Sequence, residues 1–160
     1  MTSYKKFKVT VISSLLLAIC IFSLTSCTKK PDQNTPQGVL STYVSKTMSL
    51  KSSSEKSELE KMTTGEARKT LQNLDEAGFR SYFLDVRREF ISMKIRDERA
   101  LSPERHSITY EISYKSHSPN SDDIVTIKKH ALLVKDQNQW LISEVQNLKT
   151  NIEHENAISF

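Results

Sequence analysis

The stretch Ile108-Thr109-Tyr110-Glu111-Ile112-Ser113-Tyr114 decides the fold of this chain. Bulky apolar or aromatic side chains alternate in it with polar ones along its whole length. Successive side chains of a β-strand point to opposite faces of the sheet, so this pattern places all the bulky groups on one face. The stretch is therefore predicted to be a strand with one buried and one solvated face.

Similar alternation marks three more strands, all after Glu89. Each strand is separated from the next by a short run of turn-forming residues, which is typical of an antiparallel meander. The four predicted strands cover residues 91–95, 108–114, 125–133 and 140–148. The predicted turns lie at residues 102–105, 118–122 and 136–138.

The residues before the first strand show helical spacing instead. Thr35-Pro36 combines an N-cap with proline at the first helical position. Apolar side chains then recur three and four residues apart and predict one buried helix face. These are Val39, Leu40, Tyr43, Val44 and Met48.

Shorter helices are predicted after a serine-rich break at residues 52–54. Ser57-x-x-Glu60 and Thr63-x-x-Glu66 have the spacing of capping boxes, which begin helices. Asp75 is predicted to cap one more helix, whose apolar face carries Phe79, Tyr82, Phe83 and Val86.

Helices followed by four strands predict an α+β fold, with N-terminal helices packed on a curved four-stranded antiparallel meander. This order resembles the nuclear transport factor two-like superfamily, also called cystatin-like α+β cones. The hairpin Leu132-Leu133-Val134-Lys135 with Trp140-Leu141-Ile142 is similar to the one that closes many of its members. The resemblance covers residues 36–150 and implies a cone-like cavity. It does not by itself assign a function, because the superfamily contains both enzymes and binding modules.

The composition of the first 27 residues predicts that the protein is secreted. Three lysines precede an apolar run at residues 9–24, and Leu24-Thr25-Ser26-Cys27 follows at its end. A basic start, an apolar run and small residues define a signal peptide, here residues 1–26. The alternative is a transmembrane anchor, but the run is shorter than the ~20 residues that span a bilayer.

Leu24-x-x-Cys27 resembles the lipobox of bacterial lipoproteins, which implies that Cys27 becomes the lipidated N-terminus. Residues 27–35 would then be a flexible tether, residues 36–150 the folded domain and residues 151–160 a C-terminal tail. The resemblance implies a location in the cell envelope with a membrane anchor of palmitate-type acyl chains. Thr28 after the cysteine implies the outer membrane if the source is Gram-negative.

Composition excludes several classes of function. The chain has 23 Lys and Arg and 19 Asp and Glu, and loss of the three signal lysines would leave 20 against 19. A nucleic-acid surface needs a basic excess, so no nucleic-acid partner is expected. The two cysteines are Cys20, which would leave with the signal peptide, and Cys27, which would be acylated. The mature domain would therefore have no thiol for catalysis or metal binding. The four histidines are isolated, and neither a metal nor a cofactor is expected.

Asp97 and Arg99 are candidate pocket residues. If the first strand keeps its register, both share the predicted buried face of Ile91, Met93 and Ile95, where polar groups could orient a ligand. In the alternative, the strand runs past the core or a β-bulge reverses its phase. Lys129 could also point either into the pocket or to solvent. The alternation of the third strand places it on the buried face, but a lysine on a strand is usually solvated.

Tyr43, Tyr82, Tyr110 and Trp140 complete the candidate pocket. The residues favour a non-enzymatic module of the cell envelope that binds a small apolar ligand or a partner protein. The alternative is an isomerase- or dehydratase-like enzyme, which the resemblance would build from a tyrosine and a carboxylate such as Asp97 or Asp85. Aromatic residues at regular spacing are more often core than catalytic, and no catalytic dyad aligns with this sequence.

Overall fold

The computed structural model describes residues 32–118 and 121–154, without the side chains of Ser118, Ser121 and His154. Helices occupy the first part of this region: α1 Pro36–Ser49, α2 Lys56–Lys61, α3 Gly65–Asn73 and α4 Glu76–Phe79. A 3-10 turn, Ser53–Glu55, precedes α2, and a π-helical turn, Arg80–Leu84, follows α4. Among the described residues, no helix is long and apolar enough to cross a membrane. The predicted signal peptide and Cys27 lie outside the described residues.

The second part is one antiparallel sheet. Its strands are β1 Arg88–Ser102, β2 Arg105–Ser118, β3 Ser121–Asp136 and β4 Gln139–His154, and they pair in the order β1-β2-β3-β4. The predicted α+β class and four-stranded antiparallel meander are therefore confirmed. All the strands are longer than predicted, and β4 runs into the segment expected to be a C-terminal tail.

Helix α1 begins where the sequence predicts. The Thr35 hydroxyl accepts a hydrogen bond from the Gly38 amide at 3.1 Å, and Pro36 occupies the first helical position. Asp75 also caps α4 as expected, since its carboxylate accepts from the Gly78 amide at 2.7 Å. Both caps satisfy amides that the helix itself leaves without partners.

Both predicted capping boxes are wrong. The turn before α2 is stabilised by Glu55, whose carboxylate accepts hydrogen bonds from the Lys51 and Ser52 amides at 2.7 and 3.4 Å, while Ser57 lies inside the helix. Thr63 is not a cap because it is fully buried and forms a parallel bridge with Ile142 of β4. Thr64 is the N-cap of α3 instead.

That bridge joins the helical region to the edge of the sheet. The Thr64 amide donates to the Ile142 carbonyl at 2.8 Å, and the Ile142 amide donates to the Met62 carbonyl at 3.0 Å. Gly65 follows with φ of +52°, a left-handed conformation that turns the chain into α3. Residues 62–64 thus cover part of the free edge of β4.

The main core lies on one face of the sheet. Val39, Leu40 and Val44 of α1 join a buried cluster with side chains from β2, β3 and β4. That cluster contains the predicted buried side chains of β2, which are Ile108, Tyr110, Ile112 and Tyr114, together with Leu133 and Trp140. A second cluster, formed by Leu59, Leu71 and Phe79, holds the short helices together.

Candidate functional site

A cavity of about 640 Å³ lies beside the main core. Its walls come from α1, α3, the π-helical turn and the inner face of the sheet. Apolar side chains make up much of this surface, among them Met48, Ala67, Leu71, Phe83, Ile112 and Val145.

A row of polar side chains crosses the sheet inside this cavity. Lys129 on β3 pairs with Tyr110 on β2 and with Asn147 on β4, and all three line the cavity. The row lies on the core face of the sheet because Val125 and Ala131, in phase with Lys129, are both buried. A bulge in the β3–β4 pairing between Lys128 and Lys129 brings Asn147 into the row.

Lys129 is therefore a cavity residue and not the solvated lysine that its residue type suggests. Burial lowers the pKa of its ammonium group, and the positive charge of Arg88 lowers it further. The ammonium group of Lys129 has no ion pair or hydrogen bond with any residue in the described part of the chain. Its charge is thus partly removed from water without compensation.

Arg88 is the second cation of the cavity, at the start of β1. Its Nη2 donates to the Tyr82 carbonyl at 2.9 Å, and its guanidinium lies over the Tyr114 ring at 5.6 Å. Its Nε is buried and has no hydrogen-bond partner within residues 32–118 and 121–154. The sequence does not reveal this residue, because Arg87-Arg88-Glu89 has the mixed charge of an ordinary solvated surface.

Three predicted tyrosines do meet at the cavity: Tyr43, Tyr82 and Tyr110. Burial, with a smaller effect from Tyr82, raises the pKa of Tyr43 to about 12. Burial also raises the pKa of Tyr110, with smaller effects from Tyr43 and Tyr82. The hydroxyls of Tyr43 and Tyr110 are consequently neutral at physiological pH and can donate hydrogen bonds. Tyr82 is 54% exposed and lies at the cavity mouth.

Two carboxylates line the cavity, and each already has a partner. Glu66 pairs with Lys69 at 2.8 Å on the exposed surface of α3. Glu144 accepts a hydrogen bond from the side chain of Gln146. Neither forms an ion pair with Lys129 or Arg88 in the described region.

Asp97 and Arg99 lie outside the cavity. A first strand without a change of register would have pointed both side chains into it. A β-bulge between Ile95 and Asp97 reverses the phase of β1, the alternative considered from the sequence. Asp97 now pairs with Thr109 and Arg99 with Ser107, on the face opposite the core. The two side chains form an ion pair of 2.9 Å with each other and are 49% and 73% exposed.

Trp140 and Asp85 also lie outside the cavity. Trp140 is 9% exposed and packs in the main core, with its ring centroid 5.0 Å from that of His106. Asp85 pairs with Arg80 at 3.4 Å on the surface. The structure therefore brings together Tyr43, Tyr82, Tyr110 and Lys129 but not Asp97, Arg99 or Trp140. Within the described residues, no group of three or more His, Cys, Asp or Glu could hold a metal ion.

Fold and cavity together define an α+β protein whose apolar cavity contains two cations. No protein-family model matches the chain, and no curated protein matches it. Solved structures with a similar fold include a SEC-C motif containing protein from Rhodopseudomonas palustris, with 10% identity and a TM-score of 0.54 over 74% of this chain and 82% of that one. Another is the intermembrane space region of the chloroplast protein ARC6, with 12% identity and a TM-score of 0.55 over 73% of this chain and 96% of that region. At such low identity these likenesses show the fold alone.

Proposed function

We propose that this protein is a lipid-anchored binding module of the bacterial cell envelope that holds a small apolar ligand in its cavity. The observation that carries the proposal is the cavity of about 640 Å³ with its apolar walls. Small-molecule sites are typically concave, largely apolar and ~300–1,000 Å³ in volume. The cavity has the size and the lining of such a site.

The proposal includes a cone-like fold of the nuclear transport factor two-like type. Its support is the meander with the Trp140 hairpin, and the shared core of α1 with β2, β3 and β4. In such a cone the helices cover the concave face of the sheet and leave a pocket at its wide end. The helical cavity walls are supplied by α1, α3 and the π-helical turn.

The anchor would be acyl chains on Cys27, as the lipobox-like sequence implies. A single acyl chain binds membranes only marginally, whereas two or more hold stably. Residues 28–35 reach at most ~25–30 Å when fully extended at ~3.3–3.6 Å per residue. The domain would therefore stay beside the bilayer, the outer membrane in a Gram-negative source, where apolar molecules are concentrated.

The enzyme alternative requires a carboxylate beside a cavity tyrosine. Asp97 and Asp85, its two candidates, both lie outside the cavity and in surface ion pairs. The cavity carboxylates Glu66 and Glu144 have partners of their own. Binding is therefore the function that the arrangement supports best.

Native mass spectrometry of the full chain purified from its source tests the proposal. We expect a bound small apolar molecule on the wild type, and less of it on Ala67→Phe, which adds bulk to the cavity wall. Ala100→Phe is the matched control, because Ala100 is exposed on β1. A wild type that carries no ligand and whose melting temperature is unchanged by 1-decanol would refute the ligand-binding function.

The same spectra test the anchor. We expect the mass of a chain that begins at an acylated Cys27, and a Cys27→Ser chain that is not processed there. An uncut N-terminus on the wild type would refute the lipoprotein assignment.

A further inference from the structure

We propose that the ligand is an amphiphile with a small oxyanion head group, a carboxylate or a phosphate monoester, held by Lys129 and Arg88. This inference rests on the proposed function, because it names the chemical class of the ligand of the same cavity. The head group would meet the two cations, and the alkyl or other apolar body would lie against the cavity walls.

The first support is that neither cation has a counter-ion among the described residues. Lys129 is half-buried and has no ion pair with any described residue, and Arg88 beside it carries the same charge. A partly buried charge is costly unless a partner compensates it, and two like charges raise that cost. One anion between them would compensate both.

The second support is the unused hydrogen-bonding capacity at this point. The Nε of Arg88 is buried without a partner in the described region, whereas its Nη2 is tied to the Tyr82 carbonyl. A buried donor without an acceptor is rare in folded proteins and often marks a missing partner. Guanidinium and ammonium groups both bind carboxylate and phosphate oxygens through short, charge-assisted hydrogen bonds.

The third support is what else surrounds the cations. The cavity carboxylates Glu66 and Glu144 have other partners, so residues 32–118 and 121–154 supply no counter-ion to these two cations. Tyr110, whose backbone pairs with that of Lys129, lines the same cavity, and its hydroxyl can donate a further hydrogen bond. Apolar side chains line much of the rest of the cavity, which favours an anion that carries an apolar body.

Isothermal titration of the full chain in lipid nanodiscs tests the inference, with empty nanodiscs of the same lipid as the blank. The probes are decanoate, decyl phosphate, 1-decanol and decyltrimethylammonium, which share one alkyl chain and differ in the head group. We expect at least one of the two anions to bind about 10–100-fold more tightly than 1-decanol, the range for hydrogen bonds to charged groups. Decyltrimethylammonium should bind more weakly than 1-decanol.

Variants then locate the head-group site. Lys129→Met and Arg88→Gln should each lower the ratio of anion to 1-decanol affinity about 10-fold. Lys128→Met and Arg87→Gln are matched controls, because each removes an exposed neighbouring charge. The controls should keep the wild-type ratio.

The outcomes separate this inference from the function on which it rests. If 1-decanol binds as tightly as both anions, the head-group assignment is overturned and the apolar-ligand function survives. If the wild type prefers an anion and neither cavity variant changes that preference, Lys129 and Arg88 are not the site. If no probe binds, the proposed function and this inference are overturned together. Tighter binding of decanoate identifies a carboxylate, and tighter binding of decyl phosphate a phosphate ester.

Discussion

Replacing Gly65 with alanine tests how the helical region is joined to the sheet. Gly65 has φ of +52°, and a Cβ atom there would lie 2.8 Å from the Ser143 Oγ and 3.3 Å from the Ser143 carbonyl oxygen. The left-handed conformation costs a non-glycine residue roughly 1–2 kcal/mol. Forcing extra bulk into a packed contact typically adds about 1–3 kcal/mol. We therefore expect Gly65→Ala to lower the free energy of unfolding by about 2–5 kcal/mol, a large share of a typical domain's stability.

Urea denaturation followed by circular dichroism measures this loss. The double variant Gly65→Ala, Ser143→Ala separates its two parts, because removing Oγ relieves the 2.8 Å contact but not the backbone strain. The double variant should therefore be less destabilised than the sum of the single variants. Gln72→Ala, an exposed position on the same helix, is the control and should change stability by no more than about 0.5 kcal/mol. A Gly65→Ala protein as stable as this control would refute the left-handed turn and its contact with β4.

Three other measurements test the core and its charges. Trp140→Ala should cost ~3–5 kcal/mol, and an unchanged melting temperature would show that the β3–β4 hairpin is misplaced. The raised pKa of Tyr43, about 12, means that its contribution to stability is complete below pH 10 and is lost as the pH rises towards 12. Tyr43→Phe should reduce the alkaline loss in the free energy of unfolding by about 2–3 kcal/mol, measured by urea denaturation at each pH. A variant with the same pH profile of stability as the wild type would count against the burial of Tyr43. Asp122 has a lowered pKa because its carboxylate is hydrogen-bonded to His117 at 2.8 Å and to Lys115. His117→Ala should raise this pKa in a carbon NMR titration, and a pKa that stays fixed would contradict the contact.

Local patterns in the sequence predict the strands and two of the helix caps, Thr35 and Asp75, well. β2 is predicted from strict alternation, because one of its faces meets the core and the other meets water. Its ends are not predicted, since backbone pairing continues past the last buried side chain. Thr35 and Asp75 are predictable because a cap depends on residues within one helical turn.

Features that depend on contacts between residues far apart in the chain cannot be predicted from local sequence patterns. Thr63 has the spacing of a cap but is recruited by Ile142, a residue far along the chain. The bulge before Asp97 reverses the phase of a whole strand end, and nothing in the local sequence demands it. Lys129 has a predictable phase, but only the packing of α1 and α3 against the sheet decides that a cavity lies beside it. Arg88 becomes recognisable only once the Tyr82 carbonyl and Tyr114 ring have fixed its position.

The bridge between Thr63 and Ile142 also sets the order in which the chain can fold. A growing chain presents its N-terminal helices first, but the edge that residues 62–64 pair with belongs to the last strand. Until that strand emerges, the apolar face of α1 has an incomplete sheet to cover it, and such exposed surfaces favour aggregation. The hairpins of the meander are local and can form early, whereas closure onto β4 is a long-range step. A chain that stops before Ile142 therefore lacks the strand with which residues 62–64 pair, and its helical region loses this attachment to the sheet.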